Sequence, residues 1–187
     1  MKLQVIKDLV TILATCIATW IAITGIKAWK KQLKGKTEYE ISRRYLKAVY
    51  RVRDSIKYVR NPFVPVEEIM SSLKKNGLSE LDYNDNKKTN RAVYSERWKK
   101  VIEAASDLDV ELLDVEVSWG KEAIEIKSKL QECITNLFVN LKIFLEENDY
   151  GNDVRDSIYS VGEGDEFNKK LNDAVREIED YLRPHLK

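Results

Sequence analysis

The sequence has little histidine, and this scarcity excludes hydrolytic and metal sites that depend on histidine. His185 is the only histidine, and its place beside Pro184 at the end of the sequence predicts a frayed terminal residue. That leaves no Ser-His-Asp triad, no Cys-His pair and no histidine-based metal cluster. We therefore predict that the chain is not an enzyme and has no catalytic residue, no metal site and no cofactor.

Cysteine, proline and glycine are also scarce. Cys16 lies in an apolar run and Cys133 in an amphipathic stretch, so we expect no disulfide between them, core packing for Cys133, and a reducing compartment. Three prolines and seven glycines argue against a turn-rich β fold. The Gly162-Glu163-Gly164 segment lacks the lysine of a phosphate-binding loop.

Carboxylates offer the best remaining case for chemistry. Four acidic residues share one helical face at spacings of four, four and three: Glu103, Asp107, Glu111 and Asp114. The Glu-x-x-His motifs that complete a two-metal site in a helical bundle are absent. The Asp82–Lys88 segment matches a calcium loop at only three ligand positions. Lys87 stands where the turn needs glycine, and Val93 stands where the loop needs glutamate. A metal-dependent or hydrolytic enzyme is therefore only our third hypothesis.

One long apolar run predicts a membrane anchor. Leu9 to Ile26 are eighteen residues without a charge, which as a helix span roughly 27 Å, close to the hydrocarbon thickness of a bilayer. A cleaved signal peptide is the alternative, but Ala22-Ile23-Thr24 is a poor cleavage site. We predict a single transmembrane helix.

Basic residues directly after this run predict its orientation. The residues expected at the membrane surface are Lys27, Trp29, Lys30, Lys31, Lys34 and Lys36. Positive charges are retained on the cytoplasmic side, and tryptophan favours the interface. We predict an inner (plasma) membrane protein with its N-terminus outside. Residues 1–33 form the anchor and juxtamembrane segment, and residues 34–187 form a cytoplasmic domain.

Small residues within the run suggest self-association. Ala14, Ala18 and Ala22 fall four apart, a spacing that lets two transmembrane helices approach closely. A homo-oligomer formed through this face is one hypothesis, and an ordinary anchor that happens to contain alanines is the other.

The soluble part shows helical periodicity throughout. Apolar residues repeat at threes and fours over 37–60, 67–75, 90–118, 121–147 and 165–183, with loops over 76–89 and 148–164. Thr37 to Glu40 matches a capping box that would begin the first soluble helix. We predict an all-α fold: one transmembrane helix followed by an antiparallel helical bundle or long helical hairpins with coiled-coil-like, heptad stripes.

The charges are unevenly distributed along the chain. The total is +1, yet residues 27–60 carry twelve basic and three acidic side chains, and residues 61–187 have a net charge of −9. Attraction to anionic lipid and pairing within the chain are the favoured explanations. For pairing, the basic face is Arg44, Lys47 and Arg51, and the acidic face is Glu103, Asp107, Glu111 and Asp114. An acidic protein partner is a further alternative, and a nucleic acid is disfavoured by the acidic remainder.

Two stretches resemble uncharacterised bacterial single-pass membrane proteins. One reads KGKTEYE at 34–40, RRYLKAVY at 43–50 and RNPF at 60–63; the other reads WKKVIE at 98–103, ELL at 111–113 and WG at 119–120. The resemblance covers about half of the soluble part. It implies a bacterial inner-membrane setting and no established activity.

These patterns favour a membrane-tethered helical interaction or scaffold module that binds an as yet unidentified protein. Its expected partner-facing segments are the Asn61-Pro62-Phe63 bridge and the Asp82–Lys88 loop, with ordinary linkers as the alternative for both. A membrane-acting effector, such as a toxin or a stress- or phage-defence component that oligomerises through its anchor, is the second hypothesis.

Overall fold

The computed structural model describes residues 2–147, 151–159 and 162–186, and every regular element within them is a helix. The α-helices are α1 (Lys2–Val59), α2 (Val66–Lys75), α3 (Asn86–Trp119), α4 (Glu122–Glu146), α5 (Asn152–Ile158) and α6 (Glu166–Leu182). Short 3-10 helices cover Glu80–Asn84, Gly162–Gly164 and Arg183–Leu186. The predicted all-α class is therefore confirmed.

The chain divides into two compact units, an N-terminal unit of Met1–Glu40 and a C-terminal unit of Ile41–Lys187. Helix α1 supplies residues to both. The N-terminal unit is the first part of this helix, and the C-terminal unit contains the remaining elements.

The C-terminal unit is built around one apolar core. Its α1 segment contributes the predicted stripe at threes and fours, which is buried: Ile41, Tyr45, Val49, Val52, Ile56 and Val59. Facing it are aliphatic side chains of α3, α4 and α6 at the same helical spacing, including Leu108, Leu137 and Ile178, which are 0% exposed. Cys133 is buried in this core as predicted. Because the apolar residues repeat at the helical period, one face of each of these helices is buried in the core.

The predicted capping box at Thr37 is wrong. Thr37 lies within α1 and its hydroxyl donates to the carbonyl of Leu33 at 3.0 Å, a bond made inside a helix. The residues before Thr37 are already helical, so no unpaired first-turn amides remain for a cap to accept from.

Both predicted loops contain helical structure. In the first, the Asp85 side chain accepts from the backbone amides of Lys87 and Lys88 at 3.1 Å, so α3 begins at Asn86 rather than near residue 90. In the second, α5 occupies Asn152–Ile158, while residues 148–150, 160 and 161 lie outside the described residues. Short polar helices lack a long apolar stripe, and periodicity therefore misses them.

Gly120 separates α3 from α4. Its backbone has φ +85° and ψ −162°, a region open to glycine but strained for other residues. The chain changes direction here, and the end of α3 meets the 3-10 helix Arg183–Leu186, where His185 stacks on Trp119 with ring centroids 4.2 Å apart. The prediction that His185 is a frayed residue is therefore wrong, because stacking on the Trp119 ring holds its side chain in place.

Candidate interaction surface

Helix α3 carries the acidic face that the sequence predicted, and the basic face of α1 lies against it. Arg44 donates to Glu111 at 3.1 Å and also pairs with Asp114, while Arg51 pairs with Asp107 at 3.2 Å. Lys47 and Glu103 form no ion pair within the described part of the chain. These pairs are largely exposed, so they align α1 with α3 more than they stabilise the fold.

A second face of α3 is exposed and largely apolar, with Ser106 between its first two apolar residues. Its four large side chains are Ile102, Val110, Leu113 and Val117, with 56%, 63%, 60% and 88% of their surfaces exposed. At 100° per residue their positions fall within an arc of about 80°, roughly opposite the buried side of the same helix. We call this set the α3 apolar face.

Carboxylates border the α3 apolar face on both sides. Between Val101 and Trp119 there are six acidic residues and no basic residue. By helical angle, Glu103 and Asp114 lie along one edge, and Asp109 and Glu116 lie along the other. The cations that pair with acidic side chains of this segment are Arg44, Arg51 and Lys127. The segment thus carries six carboxylates, four of which pair with these three cations, and Lys47 and Lys100 line the grooves beside the edge that contains Glu103.

The first half of α3 is anchored by the buried side chain of Arg97. This guanidinium donates to both oxygens of Glu68 at 2.8 and 3.0 Å, and to the carbonyls of Asn61 and Phe63 at 2.6 and 2.9 Å. Tyr58 adds a hydrogen bond to Glu68 at 2.7 Å. The hydrogen bond from Arg97 holds the pKa of Glu68 below its ordinary value.

These contacts locate the predicted Asn61-Pro62-Phe63 bridge. Its carbonyls at Asn61 and Phe63 point to Arg97, so the backbone of the bridge is fixed from inside. The Phe63 side chain is 70% exposed, and Val66 three residues later is 52% exposed. Exposed apolar residues in such small numbers are normal on protein surfaces.

The predicted Asp82–Lys88 loop is organised by its own side chains. Asp82 accepts from Lys88 at 2.8 Å and from the backbone and hydroxyl of Ser79 at 2.9 and 3.0 Å. The hydrogen bond from Lys88, together with those from Ser79, lowers the pKa of Asp82 to about 2. The Asp82 carboxylate is thus occupied by hydrogen bonds within this segment. Within the described residues, no group of three or more metal-ligating side chains is brought together, here or elsewhere.

A second buried arginine organises the opposite connection of the C-terminal unit. Arg60 donates to the carbonyls of Ser157 and Asp156 at 2.8 Å and of Tyr159 at 3.1 Å, and it pairs with Asp165 at 2.9 Å. Its contacts tie the end of α1 to α5 and to the start of α6. These are structural contacts, because the arginine is 1% exposed.

A groove of about 550 Å³ runs between α4, α5 and α6, with the Cys133 side chain at its wall. Burial raises the pKa of the Cys133 thiol, which opposes the reactive thiolate form at neutral pH.

The N-terminal unit contains one helical segment that is long and apolar enough to cross a membrane. Its threonine hydroxyls donate back to carbonyls one turn earlier, at 2.8 to 3.0 Å; these are Thr11, Thr15, Thr19 and Thr24. These hydroxyls therefore have hydrogen-bond acceptors without contact with water. Ala14, Ala18 and Ala22 are exposed on this segment.

The segment that follows is basic and exposed. The five predicted surface lysines, Lys27, Lys30, Lys31, Lys34 and Lys36, are exposed, and Trp29 is 61% exposed. Lys34 pairs with Glu38 at 3.6 Å. Most of the positive charge of this segment is therefore exposed on its surface.

Comparisons with protein-family models, with curated proteins and with solved structures give no match to this chain. The resemblance to bacterial single-pass proteins therefore stays a prediction.

The sequence analysis missed the α3 apolar face and both buried arginines. A signal for the face was present, since Ile102, Val110, Leu113 and Val117 are spaced by eight, three and four residues, on a different side of the helix from the core stripe at Val101, Leu108 and Val115. The second stripe indicates a side of α3 that the core does not cover.

Proposed function

We propose that this chain is a membrane-tethered helical interaction module without catalytic activity. The apolar N-terminal segment spans the inner membrane, and the C-terminal unit presents the α3 apolar face to a protein partner in the cytoplasm. The observation that carries the proposal is the exposure of four aliphatic side chains on one side of α3. Contiguous exposed apolar residues rimmed by polar ones are typical of protein interfaces.

The strength of such an interface follows from its size. Covering each of the four partly exposed aliphatic side chains stabilises a complex by roughly 1–2 kcal/mol, or about 4–8 kcal/mol together. Association costs about 4–15 kcal/mol, so this face alone supports weak binding. Confinement to one membrane raises the effective concentration of two tethered proteins, which makes a weak interface sufficient.

Features of the N-terminal unit support tethering in this orientation. The uncharged segment satisfies its own threonine hydroxyls, as a helix in hydrocarbon must. The lysines from Lys27 to Lys36 fit the positive-inside rule, and Trp29 fits an interfacial position.

Position-specific photocrosslinking in native membranes tests the proposal. A photoreactive amino acid at Leu113 is expected to give a discrete protein adduct, because this residue lies at the centre of the face. The matched control is Gln131, which is exposed on α4 and is expected to give none. Adding Val110→Ser and Val117→Ser should remove the Leu113 adduct. The same adducts at Leu113 and Gln131, or none at Leu113, would refute the proposal.

A second candidate is a membrane-acting effector that oligomerises through its anchor. The feature that favours it is the spacing of Ala14, Ala18 and Ala22, which lie four residues apart on α1. Induced expression should then depolarise the membrane, and Ala18→Ile should abolish the effect. Unchanged membrane potential and growth on expression would exclude this candidate.

A further inference from the structure

The carboxylates around the α3 apolar face restrict what can cover it. Glu103 and Asp114 lie along one edge, and Asp109 and Glu116 lie along the other. Glu103 and Glu116 form no ion pair within the residues that the structure describes. Any surface that covers the face therefore comes within reach of unneutralised negative charge on both sides.

A second copy of the chain fits this face poorly. Burying the four apolar residues against themselves overlaps the segment Ile102–Val117 with its own counterpart, whether the two helices run parallel or antiparallel. Acidic edges then face acidic edges, and like charges brought together across an interface are unfavourable. An anionic lipid surface is repelled by the same carboxylates.

A basic helix has the complementary chemistry. We infer that the α3 apolar face binds an amphipathic helix of another protein, with apolar residues along one side and lysine or arginine on both flanks. The face extends over sixteen residues from Ile102 to Val117, roughly four turns of helix. A helix of matching length places its flanking cations against Glu103 and Glu116 while its apolar stripe covers the aliphatic side chains. This inference rests on the proposed function and adds the class of partner.

The test uses the full chain in nanodiscs of zwitterionic lipid, so that a basic peptide is not taken up by the membrane. The probes are two fluorescent amphipathic 18-residue peptides with the same leucine stripe, one flanked by lysine and one by glutamate. Anisotropy titration is expected to show the lysine peptide binding about ten-fold more tightly, with an affinity that falls as salt is added. Leu113→Ser should remove this binding.

The matched variants separate the acidic edges from general negative charge. Glu103→Gln with Glu116→Gln should weaken binding of the lysine peptide several-fold, whereas Glu125→Gln with Glu132→Gln, on exposed positions of α4, should leave it unchanged. Circular dichroism checks that each variant is folded.

Each remaining outcome counts against the inference. If both peptides bind equally in a Leu113-dependent manner, the partner class is wrong while the interaction face stands. If no binding depends on Leu113, or neither peptide binds, the inference fails, and the photocrosslinking experiment decides separately on the proposed function. If sedimentation shows a dimer that Leu113→Ser dissociates, the occupant is a second copy and the inference is overturned.

Discussion

Replacing Arg97 with methionine removes the side chain that holds α2, α3 and the bridge between α1 and α2 together. The variant loses both hydrogen bonds to Glu68 and those to the carbonyls of Asn61 and Phe63. Removing one member of a buried ion pair costs about 3–5 kcal/mol. Because the Glu68 side chain is 18% exposed, water can partly solvate the remaining carboxylate, and we expect a loss near the lower end, about 3 kcal/mol.

Urea denaturation of the full chain in detergent micelles measures this loss, with helix content followed by circular dichroism. For a slope of about 2 kcal/mol per molar urea, the midpoint should fall by about 1.5 M. The matched control is Arg176→Met, because Arg176 makes only an exposed pair with Asp173 and its loss should cost less than about 0.5 kcal/mol.

A double variant tests the reasoning more closely. Arg97→Met combined with Glu68→Met removes the stranded carboxylate and should recover part of the lost stability. Equal midpoints for Arg97→Met and Arg176→Met would refute the assignment of Arg97 as a buried anchor. So would a double variant that is less stable than the single one.

Three further predictions concern stability and use the same urea assay. The hydrogen bond from Arg97 lowers the pKa of Glu68 from 4.5. The ionised carboxylate therefore stabilises the fold above that pH, and this stabilisation is lost as the pH falls through the folded-state pKa. Wild type should lose more stability than Glu68→Gln between pH 7 and about pH 3, and parallel declines would contradict this. Gly120→Ala should cost about 1–3 kcal/mol because φ is +85°, whereas Gly35→Ala within α1 should cost nothing, and equal effects would count against strain at Gly120. Leu137→Ala, at a fully buried position, should cost about 2–5 kcal/mol, and a comparable loss for the half-exposed Val139→Ala would show that the core is misplaced.

Periodicity predicted the core of the C-terminal unit because burial of a helix face repeats at threes and fours. The α1 stripe from Ile41 to Val59 is buried as its spacing indicated. Opposite charges at matching helical spacing on α1 and α3 predicted that the two faces could pair, and Arg51 and Asp107, which belong to these faces, lie 3.2 Å apart. These features follow from local patterns, and such patterns can be read from a single sequence.

The features that escaped prediction depend on convergence in space. Arg97 is 1% exposed because carbonyls of Asn61 and Phe63, distant in sequence, meet Glu68 around it; no local pattern separates such an arginine from a solvated one. The α3 apolar face escaped for a related reason, since Val110 and Leu113 are apolar like the core residues beside them. Only the placement of α1 and α4 decides which side of α3 is covered.

A cysteine at Gln131 tests whether the C-terminal unit is tethered to the inner side of the membrane. Gln131 is exposed on α4, whereas the native Cys133 is buried and Cys16 lies in the apolar segment, so the unmodified chain serves as the blank. A membrane-impermeant maleimide should label Gln131→Cys in inverted inner-membrane vesicles and not in intact spheroplasts. Labelling in spheroplasts, or recovery of the protein in the soluble fraction, would contradict a cytoplasmic unit held by an inner-membrane span.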